Sequence, residues 1–208
     1  MKKLVVIAAA TLAASMSASL HAAEPGDPER GRELSSPCVA CHKEDGNSAN
    51  PEWPKTAGKD EDYLFKQLMD YKWGAIGGVA QRVLGEDLTE QDMRDLAAYY
   101  ASQETAPGRP SADEETLELG KKIYFGGNLQ SGVAACVACH GPGGQGNPAA
   151  EFPSVAAQHA TYAQDQLEQF SDGVRENDPG RMMRDVAGRM TEEEMEAVSQ
   201  YMESLDPQ

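Results

Sequence analysis

Apolar and polar positions follow two regimes along this chain. Between Leu4 and Leu12 only Thr11 interrupts an apolar run, and small residues dominate from Ser15 to Ala23. Beyond that point the pattern is helical. Apolar residues recur at helical spacing over Asp62 to Tyr71 and over Thr161 to Phe170, which predicts a helix in each place. Further helices are expected around Pro28 to Leu34 and from Ala112 to Tyr124. Two more open on Thr89 and Thr191, each followed three residues on by an acid, Asp92 and Glu194, in a reciprocal capping pattern. Aspartate is the shorter acid, so the first of these caps is expected to be the weaker. No stretch reads convincingly as a strand, and the fold class is therefore all-α.

The predicted elements come in two sets. Trp53-Pro54 returns as Phe152-Pro153, and the helix opening Tyr63-Leu64-Phe65-Lys66-Gln67-Leu68 returns as Tyr162-Ala163-Gln164-Asp165-Gln166-Leu167, both at an offset of 99 (53 to 152, 63 to 162). The segment from Leu88 to Tyr99 returns from Met190 to Tyr201 at an offset of 102 (88 to 190). Such self-similarity is the mark of a duplicated domain. Residues 104–111 contain Pro107, Gly108 and Pro110 without apolar periodicity and read as a linker. The expected organisation is one domain over 24–103 and a second over 112–208.

All four cysteines fall into two five-residue copies, Cys38-Val39-Ala40-Cys41-His42 and Cys136-Val137-Ala138-Cys139-His140. Cys-x-x-Cys-His reads as a site for covalent attachment of a c-type haem, because two thiols three residues apart on one helical turn can each add to a vinyl group of the same porphyrin. The histidine is then held under the iron. Other chemistries account for less of the pattern. Zinc would leave the histidine after each pair unexplained; a redox dithiol is expected near a βαβ unit; and a disulfide closing so tight a loop does not account for the repeated histidine. The cofactor expectation is two haem c groups. Cys38, Cys41, Cys136 and Cys139 would be the attachment residues, with His42 and His140 as proximal ligands.

Charge and targeting narrow the role. Of the 208 residues 34 are acidic and 18 are Lys or Arg, a formal net charge of -16. So acidic a surface argues against nucleic acid as a partner; it suits redox proteins with basic docking patches, or serves solubility or a saline or alkaline habitat. The start Met1-Lys2-Lys3, the apolar run and the small residues before Glu24 together read as a signal peptide over 1–23, cleaved after Ala23. That run is too short to span a bilayer, and no later segment is apolar enough to cross one, so the mature chain is expected to be soluble, and it can still dock on a membrane-bound redox complex.

Small helical halves, each built on a Cys-x-x-Cys-His turn, resemble class I c-type cytochromes, and the tandem resembles the dihaem c4-type cytochromes. The resemblance runs through both motifs, the aromatic-Pro segments, the Tyr-x-x-x-Gln-Leu helices and the closing helices around Leu96-Ala97-Ala98-Tyr99 and Val198-Ser199-Gln200-Tyr201. It implies that the first and last helices of each domain cross near a glycine, matched by Gly31 and Gly120. It implies that the carbonyls of Pro54 and Pro153 accept hydrogen bonds from His42 and His140. It also implies haem attachment outside the bacterial cytoplasm, hence a periplasmic protein.

In that family a methionine in the loop before the last helix is the second axial ligand. Met183 fits this role for the second domain, with Met182 as the alternative. The equivalent loop of the first domain, from Gly74 to Gly85, has neither Met nor His, and Thr56 stands where the second domain has Val155. Met69, Lys72 or a vacant, water-filled position are the options there. Met93 and Met195 pair between the halves and read as packing, and His159 as structural. The functional expectation is an electron-transfer protein moving single electrons between redox partners, not an enzyme, since nothing resembles a substrate pocket. The alternatives are a first haem open to a small molecule, or a chain that serves as the electron-transfer subunit of a larger oxidoreductase.

Overall fold

A computed structural model describes residues 24–76, 84 and 87–207. The segment expected to be a signal peptide, and residues 77–83 and 85 of the Met-free loop, lie outside the described residues. Among the described residues the chain is helical, with only two isolated β-bridges, Asn128 to Val133 and Asn147 to Phe152.

Among its described residues the first half holds α1 (Pro28–Leu34), α2 (Val39–His42), α3 (Glu61–Lys72) and α4 (Glu90–Ala101). The second half repeats them as α5 (Glu114–Gly126), α6 (Val137–His140), α7 (Ala160–Asp172) and α9 (Glu192–Ser204). Also described in the second half are a 3-10 turn at Pro148–Ala150, another at Pro179–Arg181, and a short α8 (Met182–Ala187). None of these three was expected, because segments of three to six residues carry too little periodicity to read.

Caps explain where these helices begin. Asp27, Asp60 and Asp113 each accept a backbone N–H from the first turn of α1, α3 and α5. Thr89 and Thr191 both make full capping boxes. Asp92 accepts the Thr89 N–H at 2.9 Å, and Glu194 accepts the Thr191 N–H at 2.9 Å. The shorter Asp92 side chain reaches its cap as closely as Glu194 does.

In each half the first helix crosses the last, and glycine makes the crossing possible. A Cβ on Gly31 would lie 1.9 Å from the Asp95 carbonyl oxygen, and one on Gly120 would lie 2.0 Å from that of Ala197. No side chain fits there. The middle helices α3 and α7 pack on the same last helices from another side. The two cores that result have Leu64, Ala97, Tyr99 and Tyr100 in one, and Ile123, Tyr124, Leu167, Phe170, Met195, Val198 and Met202 in the other. Met93 and Met195 are both buried, as packing residues should be.

Residues 104–111 are not a loose tether. Asn47 donates to the Glu104 carbonyl at 3.0 Å and accepts the Ala106 N–H at 2.8 Å. Lys55 Nζ donates to the Ala106 carbonyl at 2.8 Å, and Gln200 accepts the Ser111 N–H at 3.0 Å. The strap is thus tied to both halves. Direct bonds between the halves reinforce it. Gln158 pairs with the backbone of Lys55, His159 Nε2 lies 3.0 Å from the Ser48 carbonyl oxygen, and Arg175 donates to Gln67 at 2.7 Å. His159 is therefore an interface residue, as its structural reading anticipated.

Candidate functional site

The two Cys-x-x-Cys-His stretches fold into the same single turn. The His42 N–H donates to the Cys38 carbonyl at 2.9 Å, and the His140 N–H to the Cys136 carbonyl at 2.9 Å. Because 3.6 residues make a turn, the two thiols of each pair and the histidine end on neighbouring sides of one short helix. The chain then bends sharply at Lys43 (φ 60°) and Gly141 (φ 77°).

That bend brings a proline carbonyl back to each imidazole. His42 Nδ1 lies 2.9 Å from the Pro54 oxygen, and His140 Nδ1 lies 2.8 Å from the Pro153 oxygen. A carbonyl accepts only, so in both rings Nδ1 carries the proton and donates it. Burial lowers the pKa of both rings, against the opposing pull of the carbonyl, and so favours neutral imidazole. Among the described residues no hydrogen bond engages Nε2 of either ring. Each Nε2 keeps a lone pair suited to a metal ion.

The four cysteines are unpaired and half-buried. Cys38 packs against the core of the first half and Cys136 against that of the second. Burial raises the Cys38 thiol and pushes that of Cys136 up to about 11, so both stay protonated at neutral pH. Among the described residues no three or more His, Cys, Asp or Glu converge as a metal cluster, which leaves the zinc reading without a ligand set. Two thiols on one turn, a neutral imidazole fixed by its Nδ1 and an apolar core alongside are what a covalently held porphyrin requires, and both halves supply all of them.

The remaining predicted residues separate clearly. Met183 is half-buried against the second core, in the same group as Cys136 and Val155, whereas Met182 is 44% exposed. Lys72 donates to the Leu88 carbonyl. Met69 is half-buried on α3, outside the residues that pack the first core. Thr56 turns its hydroxyl toward the Gly46 carbonyl at 3.4 Å. Lys59 was missed. Its side chain is buried and donates to the Ser154 carbonyl of the other half at 3.0 Å. The signal was present in the sequence, since the offset of 99 carries Lys59 onto Gln158.

Known proteins match this arrangement. The Cytochrome c family model matches residues 28–104 and again 117–206. Cytochrome c4 of Thiocapsa roseopersicina is 45% identical over 186 residues, 88% of this chain and 95% of that protein. The crystal structure of reduced recombinant cytochrome c4 from Pseudomonas stutzeri has a TM-score of 0.81 at 40% identity, covering 87% of this chain and all (100%) of that one. A thiosulfate dehydrogenase electron acceptor of Thiomonas intermedia (strain K12) is 32% identical over 200 residues, 95% of this chain and 89% of that protein. The chain belongs to the cytochrome c family as a dihaem c4-type member, an electron-transfer protein with one covalently bound haem c in each of two tandem helical domains.

Proposed function

We propose that Cys38 and Cys41 hold the first haem and Cys136 and Cys139 the second, with His42 and His140 as proximal ligands and Met183 as the second axial ligand of haem 2. Each haem, when bound, supplies a one-electron ferric/ferrous couple. The chain's residues do the rest. The Pro54 and Pro153 carbonyls fix imidazole tautomer and orientation, which keeps ligand geometry constant between oxidation states and limits rearrangement during transfer. The observation that carries this reading is the repeated Nδ1 to carbonyl contact, 2.9 Å in one half and 2.8 Å in the other. The partial burial of Met183 against the Cys136 core supports it over the exposed Met182.

The protein acts between redox partners. We further propose that these partners dock through basic patches, given the net charge of -16. Cleavage after Ala23 would release a periplasmic protein with domains 24–103 and 112–208 joined by 104–111. No helix among the described residues is long and apolar enough to cross a membrane. Electron paramagnetic resonance of the oxidised holoprotein tests the ligand assignment. Met183→Ala should remove one low-spin signal while Met182→Ala leaves both.

A second reading concerns haem 1. Its loop lacks Met and His, and one relative is named as an electron acceptor of thiosulfate dehydrogenase. Either Met69 completes haem 1, or the position is open and accepts a small molecule; the bond from Lys72 to the Leu88 carbonyl supports a structural role for that lysine. In either case the chain can serve as the electron-transfer partner of a larger oxidoreductase. Rapid binding of cyanide by a high-spin ferric haem supports the open position, and a fully low-spin spectrum contradicts it.

A further inference from the structure

The two halves clasp each other by matching residues with unequal chemistry. Gln158 reaches from the second domain into the first, where it accepts the Lys55 N–H at 2.8 Å and donates to the Lys55 carbonyl at 3.0 Å. Lys59 makes the reciprocal reach, and its Nζ donates to the carbonyl of Ser154, the residue that matches Lys55, at 3.0 Å. An amide both donates and accepts and is neutral; an ammonium only donates and carries a charge. At 4% exposure, this charge is taken out of water. Among the described residues it forms no ion pair. A cation held this far out of water is costly to keep, which makes its position informative.

That position is behind the second haem site. Ser154 follows Pro153, whose carbonyl holds His140 Nδ1. The ammonium of the first domain therefore rests on the segment that orients the proximal imidazole of the second. At the matching place the second domain reaches toward the first with neutral Gln158.

We propose that Lys59 is a cross-domain positioning residue that raises the electron affinity of the second haem. The inference rests on His140 as the proximal ligand. One electron arrives from a reduced protein donor, the iron loses one unit of positive charge, and no bond forms or breaks. A fixed cation nearby favours the less positive ferrous state. Unit charges roughly 10 Å apart in a medium of effective dielectric about 20 change an equilibrium on the order of tenfold. For a one-electron couple a tenfold change is about 59 mV.

The test is a spectroelectrochemical titration of the holoprotein at neutral pH in Lys59→Gln, Lys59→Met and Lys59→Arg. Glutamine is what the second domain carries at this place, and methionine is a second uncharged side chain of similar length should glutamine fail to mature. Met183→Ala marks the second-domain signal, because Met183 packs against the same second-domain core as Cys136. The uncharged variants should lower the second haem's electron affinity about tenfold and move the first by less than about twofold, with arginine close to wild type. An unmoved second haem, equal movement of both haems, or an arginine variant that behaves like glutamine would overturn the proposal. A second-domain spectrum unchanged in His140→Ala would instead overturn the ligand assignment on which it rests.

Discussion

Gly120→Ala adds one methyl group at the point where α5 crosses α9. The new Cβ would sit 2.0 Å from the Ala197 carbonyl oxygen, 2.6 Å from its carbon and 2.8 Å from Tyr201 Cβ. Two of these neighbours are backbone, so no rotamer change relieves the contact and the helices must separate. Overpacking of a tight core costs about 1–3 kcal/mol, and a clash with rigid backbone belongs at the upper end. Alanine also gains about 1 kcal/mol of helix propensity over glycine, which offsets part of this. The net expectation is a loss of about 2 kcal/mol. Gly126, on the same helix, provides the control, because a Cβ there meets nothing within 4 Å. Gly126→Ala should be neutral or stabilising by up to about 1 kcal/mol. Thermal unfolding of the two holoproteins by circular dichroism separates the cases, at roughly 2–4 °C per kcal/mol for a chain of this size. The reasoning fails if Gly120→Ala melts at or above wild type, or if both variants shift alike.

Further outcomes follow from individual contacts. Met183→Ala should open the second haem to cyanide and lower its reduction potential, whereas Met182→Ala should leave both unchanged in optical ligand-binding titrations. Gln158→Ala removes both bonds to the Lys55 backbone and should weaken the coupling between the halves by about 2 kcal/mol; calorimetry should then resolve two transitions in place of one. Burial lowers the Lys59 ammonium to about 8 from its ordinary 10.5. Between those values the unfolded chain still holds a proton that the folded chain has released, so stability from this site rises with pH across that window. The stability of wild type relative to Lys59→Gln should increase by about 3 kcal/mol from pH 8 to pH 10.5, read from denaturant unfolding at each pH. A flat difference would show that the ammonium is hydrated in the folded state.

Duplication and haem attachment were legible in the sequence because both are local. A turn of five residues carries all the atoms that attach a haem and ligate it from one side, and offsets of 98, 99 and 102 tie the halves together segment by segment. The crossing glycines were found through resemblance, and the distances at Gly31 and Gly120 give the physical reason for them. What stayed hidden was the relation between the halves. The residues 104–111 have the composition of a loose linker, yet their backbone is held by Asn47, Lys55 and Gln200, partners 50 to 90 positions away in most cases. Lys59 and Gln158 align at sight, but that each crosses to the other domain depends on how the domains are oriented. Short elements such as α8 were missed for a different reason. It is six residues long, and its start follows left-handed backbone at Gly180 and Arg181 that periodicity does not register.

The central claim is that this polypeptide holds two haems through its own backbone, one on each Cys-x-x-Cys-His turn. The most direct measurement is intact mass of the denatured protein after extraction of non-covalent porphyrin, on material matured in a bacterial host competent in c-type haem attachment. The account predicts a chain carrying two haems, falling to one when Cys136 and Cys139 are both changed to alanine. A wild-type chain that retains fewer than two, or a double variant that still retains both, would contradict it.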